Sequence, residues 1–188
     1  LFFIGVQQSP EPELLQDNYA TLEFHEEQSG FLAGAVAGLI TQSGRVAAVC
    51  EVEFIDSVRQ TCAGFRSGAE YVNPGIDVDI FFRSGPEDLL FRDRAWGTAT
   101  GARSIDLGAD VVFAVGEDTA DAALEAAAKR GAVVIGAETD QYSELPEIGA
   151  ALVTSAILDI RGGLLELVQE TVEGRFLAGP HWGEVSLA

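Results

Sequence analysis

The chain has 188 residues, with 30 acidic side chains against 11 basic ones and a formal net charge of −19. That charge repels phosphate backbones and anionic bilayers, which argues against nucleic acid and membrane surfaces as partners. Hydrophobic residues make up 47% of the chain, enough to predict a packed core in one ordinary domain or two small lobes, and not disorder. An opening of Leu1-Phe2-Phe3 with no initiator Met reads as a fragment or processed product, with any signal peptide or lipid-attachment cysteine upstream.

Leu1 to Val6 is hydrophobic enough for a strand, and Pro10 and Pro12 mark the loop after it. Tyr19 to Phe24 alternates as a strand does. Glu26 to Gln42 predicts a helix stopped by Gly44, and its apolar run, Phe31 to Ile40, is half the length a bilayer requires. Gly30, Gly34 and Gly38 recur every fourth residue, which predicts close packing of that helix against a sheet. Val46 to Cys50 is the next strand, and Asp56 to Glu70 the next helix, with Asp56 as its N-cap. Asn73-Pro74-Gly75 predicts a turn. Ile76 to Phe82 follows as a strand that turns Asp77 and Asp79 to water, and Ala95 to Leu107 as a helix. Val111 to Val115 and Val133 to Gly136 are short β-branched runs of the kind buried on both faces of a parallel sheet. A helix from Thr119 to Arg130 joins them, closed by Gly131. Ala150 to Thr154 is a further strand, Ala156 to Val172 a helix, and Trp182 to Leu187 a final strand.

Strands alternating with helices predict an α/β fold with parallel, doubly wound sheets. The units from Val46 to Gly136 form one whole sheet, whereas the flanking segments need further strands. The expected division is a complete inserted lobe at 45–149 and an incomplete lobe made of 1–44 and 150–188. Cys50 and Cys62 are the two cysteines. A bridge between them is within geometric reach, but two separate buried thiols is the preferred reading.

Right-handed crossover brings the carboxyl ends of Val111–Val115 and Val133–Gly136 to one edge, where ligands of open α/β sheets bind. Gly116, Glu117, Asp118 and Thr119 follow the first of these strands, and Glu138 and Asp140 the second. Glu51, Glu53 and Asp56 follow Val46–Cys50 in the same way. An N-cap role explains Asp118 or Thr119 singly, so it is the convergence of acidic turns that carries the functional reading. Such an edge repels phosphate and suits hydroxyl-rich or cationic ligands, because a carboxylate accepts two ribose-type hydrogen bonds. Phe82, at a strand's carboxyl end, can offer a base a stacking face, and Glu27 and Gln28 start a helix that can face a cleft. No D-x-D-x-D-G loop occurs, so no metal is expected. There is no Ser-His-acid grouping, G-x-S-x-G elbow or P-loop, so neither an enzyme nor a cofactor is expected.

The segments FHEEQSGFLAGAVAGLITQSGRVAAV, AGFRSGAEYVNPGIDV, GADVVFAV, VVIGAETDQ and LVTSAILD resemble, in order and spacing, the basic membrane protein family. Its members are extracytoplasmic solute-binding lipoproteins of ABC transporters with the type I periplasmic binding protein fold. The resemblance runs from about Asn18 to the C-terminus. It implies two lobes closing on a small ligand such as a purine nucleoside or another polyol, an ABC permease as partner, and a first lobe that lacks most of its N-terminal sheet. The apolar edge so left would favour a homodimer of the fragment. The chain departs from the family in three places: Gly116-Glu117-Asp118 replaces a glycine-rich turn, Glu138 replaces an aspartate, and Leu158 replaces a lysine. A ligand-sensing domain of a receptor or regulator is the first alternative. A flavodoxin-like enzyme is the second, and a truncated chain that binds nothing alone is the third.

Overall fold

A computed structural model describes residues 1–8 and 16–188, so the expected Pro10–Pro12 loop lies outside the described residues. The chain divides into two units. The smaller comprises Leu1–His25 and Leu158–Ser186, and the larger Glu26–Ile157 with Leu187–Ala188.

The larger unit is built on a six-stranded sheet. Its elements are α1 (Glu26–Ile40), β3 (Arg45–Cys50), α2 (Asp56–Val72), β4 (Asp77–Phe82), α3 (Arg94–Asp106), β5 (Val111–Val115), α4 (Glu117–Lys129), β6 (Val133–Glu138), α5 (Gln141–Glu144) and β7 (Leu152–Leu158). Strand β9 (Val185–Leu187) completes the order β4-β3-β5-β6-β7-β9. β3 pairs in parallel with both β4 and β5, and β6 in parallel with both β5 and β7. Ser155 and Ala188 exchange both backbone hydrogen bonds, the pattern of an antiparallel edge.

Burial on both faces explains the near-continuous apolar strands. On one face Val46, Ala48, Phe113 and Ile135 pack with Ala33 and Ala37 of α1 and Phe65 of α2. On the other, Ala47, Val49, Val112 and Val134 pack with Ala123, Leu124 and Ala127 of α4. The helix after β3 and the helix after β5 lie on opposite faces, so the switch in strand order falls between these neighbours, at the carboxyl end of the sheet.

Several expected details change. The glycine stripe of α1 meets α2, not the sheet: a Cβ on Gly30 would lie 1.8 Å from the Thr61 carbonyl, and one on Gly34 1.9 Å from that of Phe65. Asp56 is not the N-cap of α2. Ile55 holds that position, and Asp56 pairs with Arg59 at 2.6 Å. Cys50 and Cys62 form a disulfide, contrary to the preferred reading of separate thiols, with Cα atoms 6.7 Å apart. It ties the end of β3 to the second turn of α2, and closing a loop of this size contributes about 3 kcal/mol on the chain-entropy model. The last helix begins at Ile160 and not at Ala156, because β7 continues to Leu158 and the Asp159 carboxylate accepts from the Gly162 amide at 2.9 Å. The expected single terminal strand is split in two around Gly183.

In the smaller unit, β1 (Phe3–Val6), β2 (Tyr19–Glu23) and β8 (Gly179–Trp182) form a parallel sheet, ordered β1-β2-β8. Helix α6 (Ile160–Val172) supplies Leu167 to a small core with Leu22, Phe24 and Leu158. The chain passes between units at 25/26, 157/158 and 186/187, where 44/45 and 149/150 were expected, because α1 packs along α2 and β7 joins the larger sheet. No helix among the described residues is long and apolar enough to cross a membrane.

Candidate functional site

The carboxyl edge of the larger sheet holds two layers of charge. The lower layer is structural. Glu51 continues from β3 and is fully buried, with its Oε1 3.4 Å from Nη1 of the equally buried Arg83, which follows β4. Arg83 also reaches Asp93 at 3.1 Å and donates to the Pro86 carbonyl at 2.7 Å. Asp93 caps α3 by accepting from the Trp96 amide, while its own amide donates to Thr119 Oγ1 at 2.9 Å. Glu51 Oε2 accepts from the Phe91 amide. Glu51 and Thr119 are therefore committed inward, joining the three segments that leave β3, β4 and β5.

Gly116 caps α4 with φ 131°, and a Cβ there would sit 2.7 Å from Cβ of Glu51. Only glycine tolerates both that backbone and that approach. The strand-to-helix turn is thereby tight enough to start α4 at Glu117, two residues before the expected start.

The upper layer is acidic. Glu117 and Glu138 both hold left-handed backbone, φ 45° and 69°, a conformation costing each about 1 kcal/mol or more and found disproportionately at binding sites. Burial first, then the charges of Glu117, Glu26 and Asp121, push the Glu138 carboxyl up to about 7. Asp121 is likewise raised by burial, against a hydrogen bond from Gln141; Asp118 and Glu144 add to the rise and Arg94 opposes it. Arg94 is itself paired with Glu125 at 2.7 Å.

Glu117 at the start of α4 and Glu26 at the start of α1 are thus the charges that bear most on Glu138, the last residue of β6. The remaining expected residues are placed differently. Asp118 is exposed, and its charge acts on Asp121 and Arg94. Asp140 caps α5, accepting from the Tyr142 amide at 3.1 Å and the Ser143 hydroxyl at 3.0 Å. Phe82 packs against the core beneath β4. Glu27 and Gln28 are exposed on the first turn of α1, and Glu53 is exposed after β3. Asp121 and Gln141 were not among the expected residues. Asp121 lies four residues after Glu117 on one helix face, a spacing visible in the sequence.

In the smaller unit a cavity of about 460 Å³ is lined by Asp159, Glu166, Glu170, His181 and Trp182, among others, and shares no residue with the expected site. A shallower one of about 290 Å³ borders Asp140, Thr154 and Ser155.

Glu138 makes stability depend on pH with a definite sign. Its folded value lies above the ordinary 4.5, so between about 4.5 and 7 the folded state binds a proton that the unfolded state has lost. The stabilisation is complete below 4.5, falls as pH rises to about 7, and is then gone. Allowing for partial solvent screening, Glu138→Gln should be more stable than the parent at pH 8 by on the order of 2 kcal/mol, with little gain at pH 4. Urea midpoints at the two pH values measure this, and parallel shifts would refute it.

The family model for "ABC transporter substrate-binding protein PnrA-like" proteins matches residues 5–183. A CD4+ T-cell-stimulating antigen of Listeria monocytogenes is 28% identical over 141 residues, covering 69% of this chain and 36% of that protein. The transcriptional activator protein med of Bacillus subtilis is 24% identical over 170 residues, covering 90% of this chain and 50% of that protein. The chain therefore spans about a third to a half of the length of these relatives. An ABC transporter solute-binding protein from Aeropyrum pernix K1 superposes with a TM-score of 0.81 at 20% identity, covering 100% of this chain and 54% of that one. Parallel α/β sheets of the type I periplasmic-binding-protein kind, with a family match running through nearly all of both units, lead to one assignment: the chain belongs to the Bmp family of PnrA-like ABC transporter substrate-binding proteins.

Proposed function

We propose that this chain is part of an extracytoplasmic solute-binding protein that holds a small hydroxyl-rich ligand, nucleoside-like or another polyol, for an ABC permease. In this reading the full-length protein is lipid-anchored and performs no chemistry. The observation that carries it is the strained left-handed backbone of both Glu117 and Glu138, which start α4 and end β6 at the carboxyl edge of a parallel sheet. Strain kept at two adjacent turn positions is characteristic of a binding edge. Recognition of this kind needs differential affinity for two conformations of the protein, not a nucleophile.

A regulator built on the same fold is the second reading, favoured by the likeness to the Bacillus subtilis activator. The Cys50–Cys62 bridge weighs toward the first, because structural disulfides persist in oxidising compartments and are rare in the cytosol.

Thermal unfolding in the presence of guanosine, adenosine, ribose and glucosamine tests the solute-binding reading. A ligand at a hundred times its Kd should stabilise the fold by about 2.7 kcal/mol, and Glu138→Ala should lose most of that gain. Unchanged midpoints with every compound would overturn the reading.

A further inference from the structure

We propose that the smaller unit carries a second site, for an organic polycation of the linear polyamine class, in the cavity between α6 and β8. The inference is independent of the solute-binding reading, since every residue lining the cavity belongs to the smaller unit.

The cavity has the size and build of a ligand site. Its volume is about 460 Å³, within the range of small-molecule pockets. Leu22 of β2 and Leu167 of α6, both buried, give it an apolar floor. Gly163 makes that floor possible, because a Cβ there would stand 2.8 Å from Leu22 Cδ1. At the rim, Leu177 and Trp182 line the cavity while remaining 65% and 55% exposed. Trp182 is held in place by stacking on His25, with ring centroids 4.2 Å apart. Two large apolar groups kept at the mouth of a cavity have surface still to bury, and an alkyl chain would cover it.

The polar lining specifies what that chain must carry. Asp159, Glu166, Glu170 and Glu184 border the cavity, and no lysine or arginine does. Among the described residues no hydrogen bond or ion pair reaches the carboxylates of Glu166, Glu170 or Glu184. His181 donates through Nε2 to the Leu177 carbonyl at 2.9 Å, which leaves its neutral ring an acceptor at Nδ1. The polar side chains around the cavity therefore all accept. A polyol would bring acceptors of its own, and a phosphate would add like charge. An alkylammonium group brings three donors, no acceptor and a positive charge. Among the described residues no three His, Cys, Asp or Glu side chains converge in a manner able to hold a metal ion, which favours an organic cation over an inorganic one.

Spacing selects a chain with several charges over a single one. Glu166 and Glu170 stand one turn apart on α6, and Asp159, its N-cap, lies two turns before Glu166 on the same side of the helix. One turn rises about 5.4 Å, which three or four methylenes between two nitrogens also span. Successive ammonium groups can then meet successive carboxylates while the methylenes lie against Leu167 and Trp182. A single ammonium would leave the other carboxylates uncompensated.

The test is isothermal calorimetry on the whole chain with spermidine, 1,4-diaminobutane and the neutral 1,4-butanediol. About 0.15 M NaCl screens exposed charges beyond roughly 8 Å. Spermidine should bind one to one and more tightly than the diamine, and the diol should give no heat of binding. Glu166→Gln/Glu170→Gln should weaken spermidine roughly tenfold or more, the loss expected for two charge-assisted contacts. Leu177→Lys sets a competing ammonium at the rim and should weaken it comparably without touching α6. The control is Glu87→Gln/Glu147→Gln, which removes the same charge from exposed positions of the larger unit and should leave spermidine affinity unchanged. Equal losses in the control and the α6 variant would show diffuse attraction to a chain of charge −19 and overturn the inference. No spermidine binding, an affinity unmoved by either cavity variant, or a diol that binds as tightly as the diamine would overturn it too. Each of these outcomes leaves the solute-binding reading as it stands.

Discussion

Arg83→Met should cost this protein about 3–5 kcal/mol, because it strands a charge that cannot reach water. Glu51 and Arg83 have side chains that are 0% exposed, and they stand 3.4 Å apart. Arg83 also binds Asp93 and the Pro86 carbonyl. Taking the guanidinium away leaves Glu51 desolvated, with only the Phe91 amide for company. A second substitution separates the loss of a partner from the loss of a large side chain. Glu51→Gln in the Arg83→Met background keeps an acceptor for the Phe91 amide but removes the stranded charge, so it should restore a substantial part of the loss. Urea denaturation of the two variants and the parent measures both steps. A single variant within about 1 kcal/mol of the parent would show that the pair contributes little beyond its own desolvation.

The network also explains which parts of the candidate site could be read in advance. The crossover from β5 through α4 to β6 was legible, because Val111–Val115 is a pure β-branched and apolar run and Gly131 ends the helix in left-handed backbone, φ 87°. That topology placed the acidic turns after β5 and β6 at one edge, but it did not single out Glu117 as the charge that bears on Glu138. Glu51 looked equivalent in the sequence, another acid after another strand. Its commitment to Arg83, thirty-two positions later, is a tertiary fact that no local pattern carries. Thr119 was misplaced for the same reason, since its hydroxyl serves the start of a different helix. The Cys50–Cys62 bridge required knowing that the second turn of α2 passes over the end of β3. The segment after Ala150 went astray because a short apolar run fits strand and helix equally. Asp159, the residue that decides it, acts as a cap only once the strand has been extended to Leu158.

The packing of α1 on α2 links the interior to the acidic edge, and it yields the other large expected effect. The contact is reciprocal. Gly30 and Gly34 of α1 face the carbonyls of Thr61 and Phe65, while Gly64 and Gly68 of α2 face those of Glu27 and Phe31, with would-be Cβ distances between 1.8 and 2.1 Å. Both partners at each contact are backbone, so no rotamer change can make room. The glycine Cα hydrogens point at carbonyl oxygens, a geometry that adds weak Cα–H···O attraction to close van der Waals contact. Gly34→Ala must therefore push the helices apart, and the expected loss is about 3 kcal/mol or more, the upper end for overpacking. Gly44→Ala is the matched control: its backbone is left-handed, φ 74°, but nothing lies within 4 Å of a Cβ there. It should cost roughly 1 kcal/mol, for backbone conformation alone. Gly64→Ala goes further, because the carbonyl it would strike belongs to Glu27, beside Glu26, whose charge bears on Glu138. That variant should lose stability and also shift the pH midpoint of the Glu138-linked transition, whereas Gly34→Ala, farther along α1, should move it less. Equal losses from Gly34→Ala and Gly44→Ala would mean that the two helices can separate freely and that the glycine stripe does not hold the first turn of α1 at the sheet's edge.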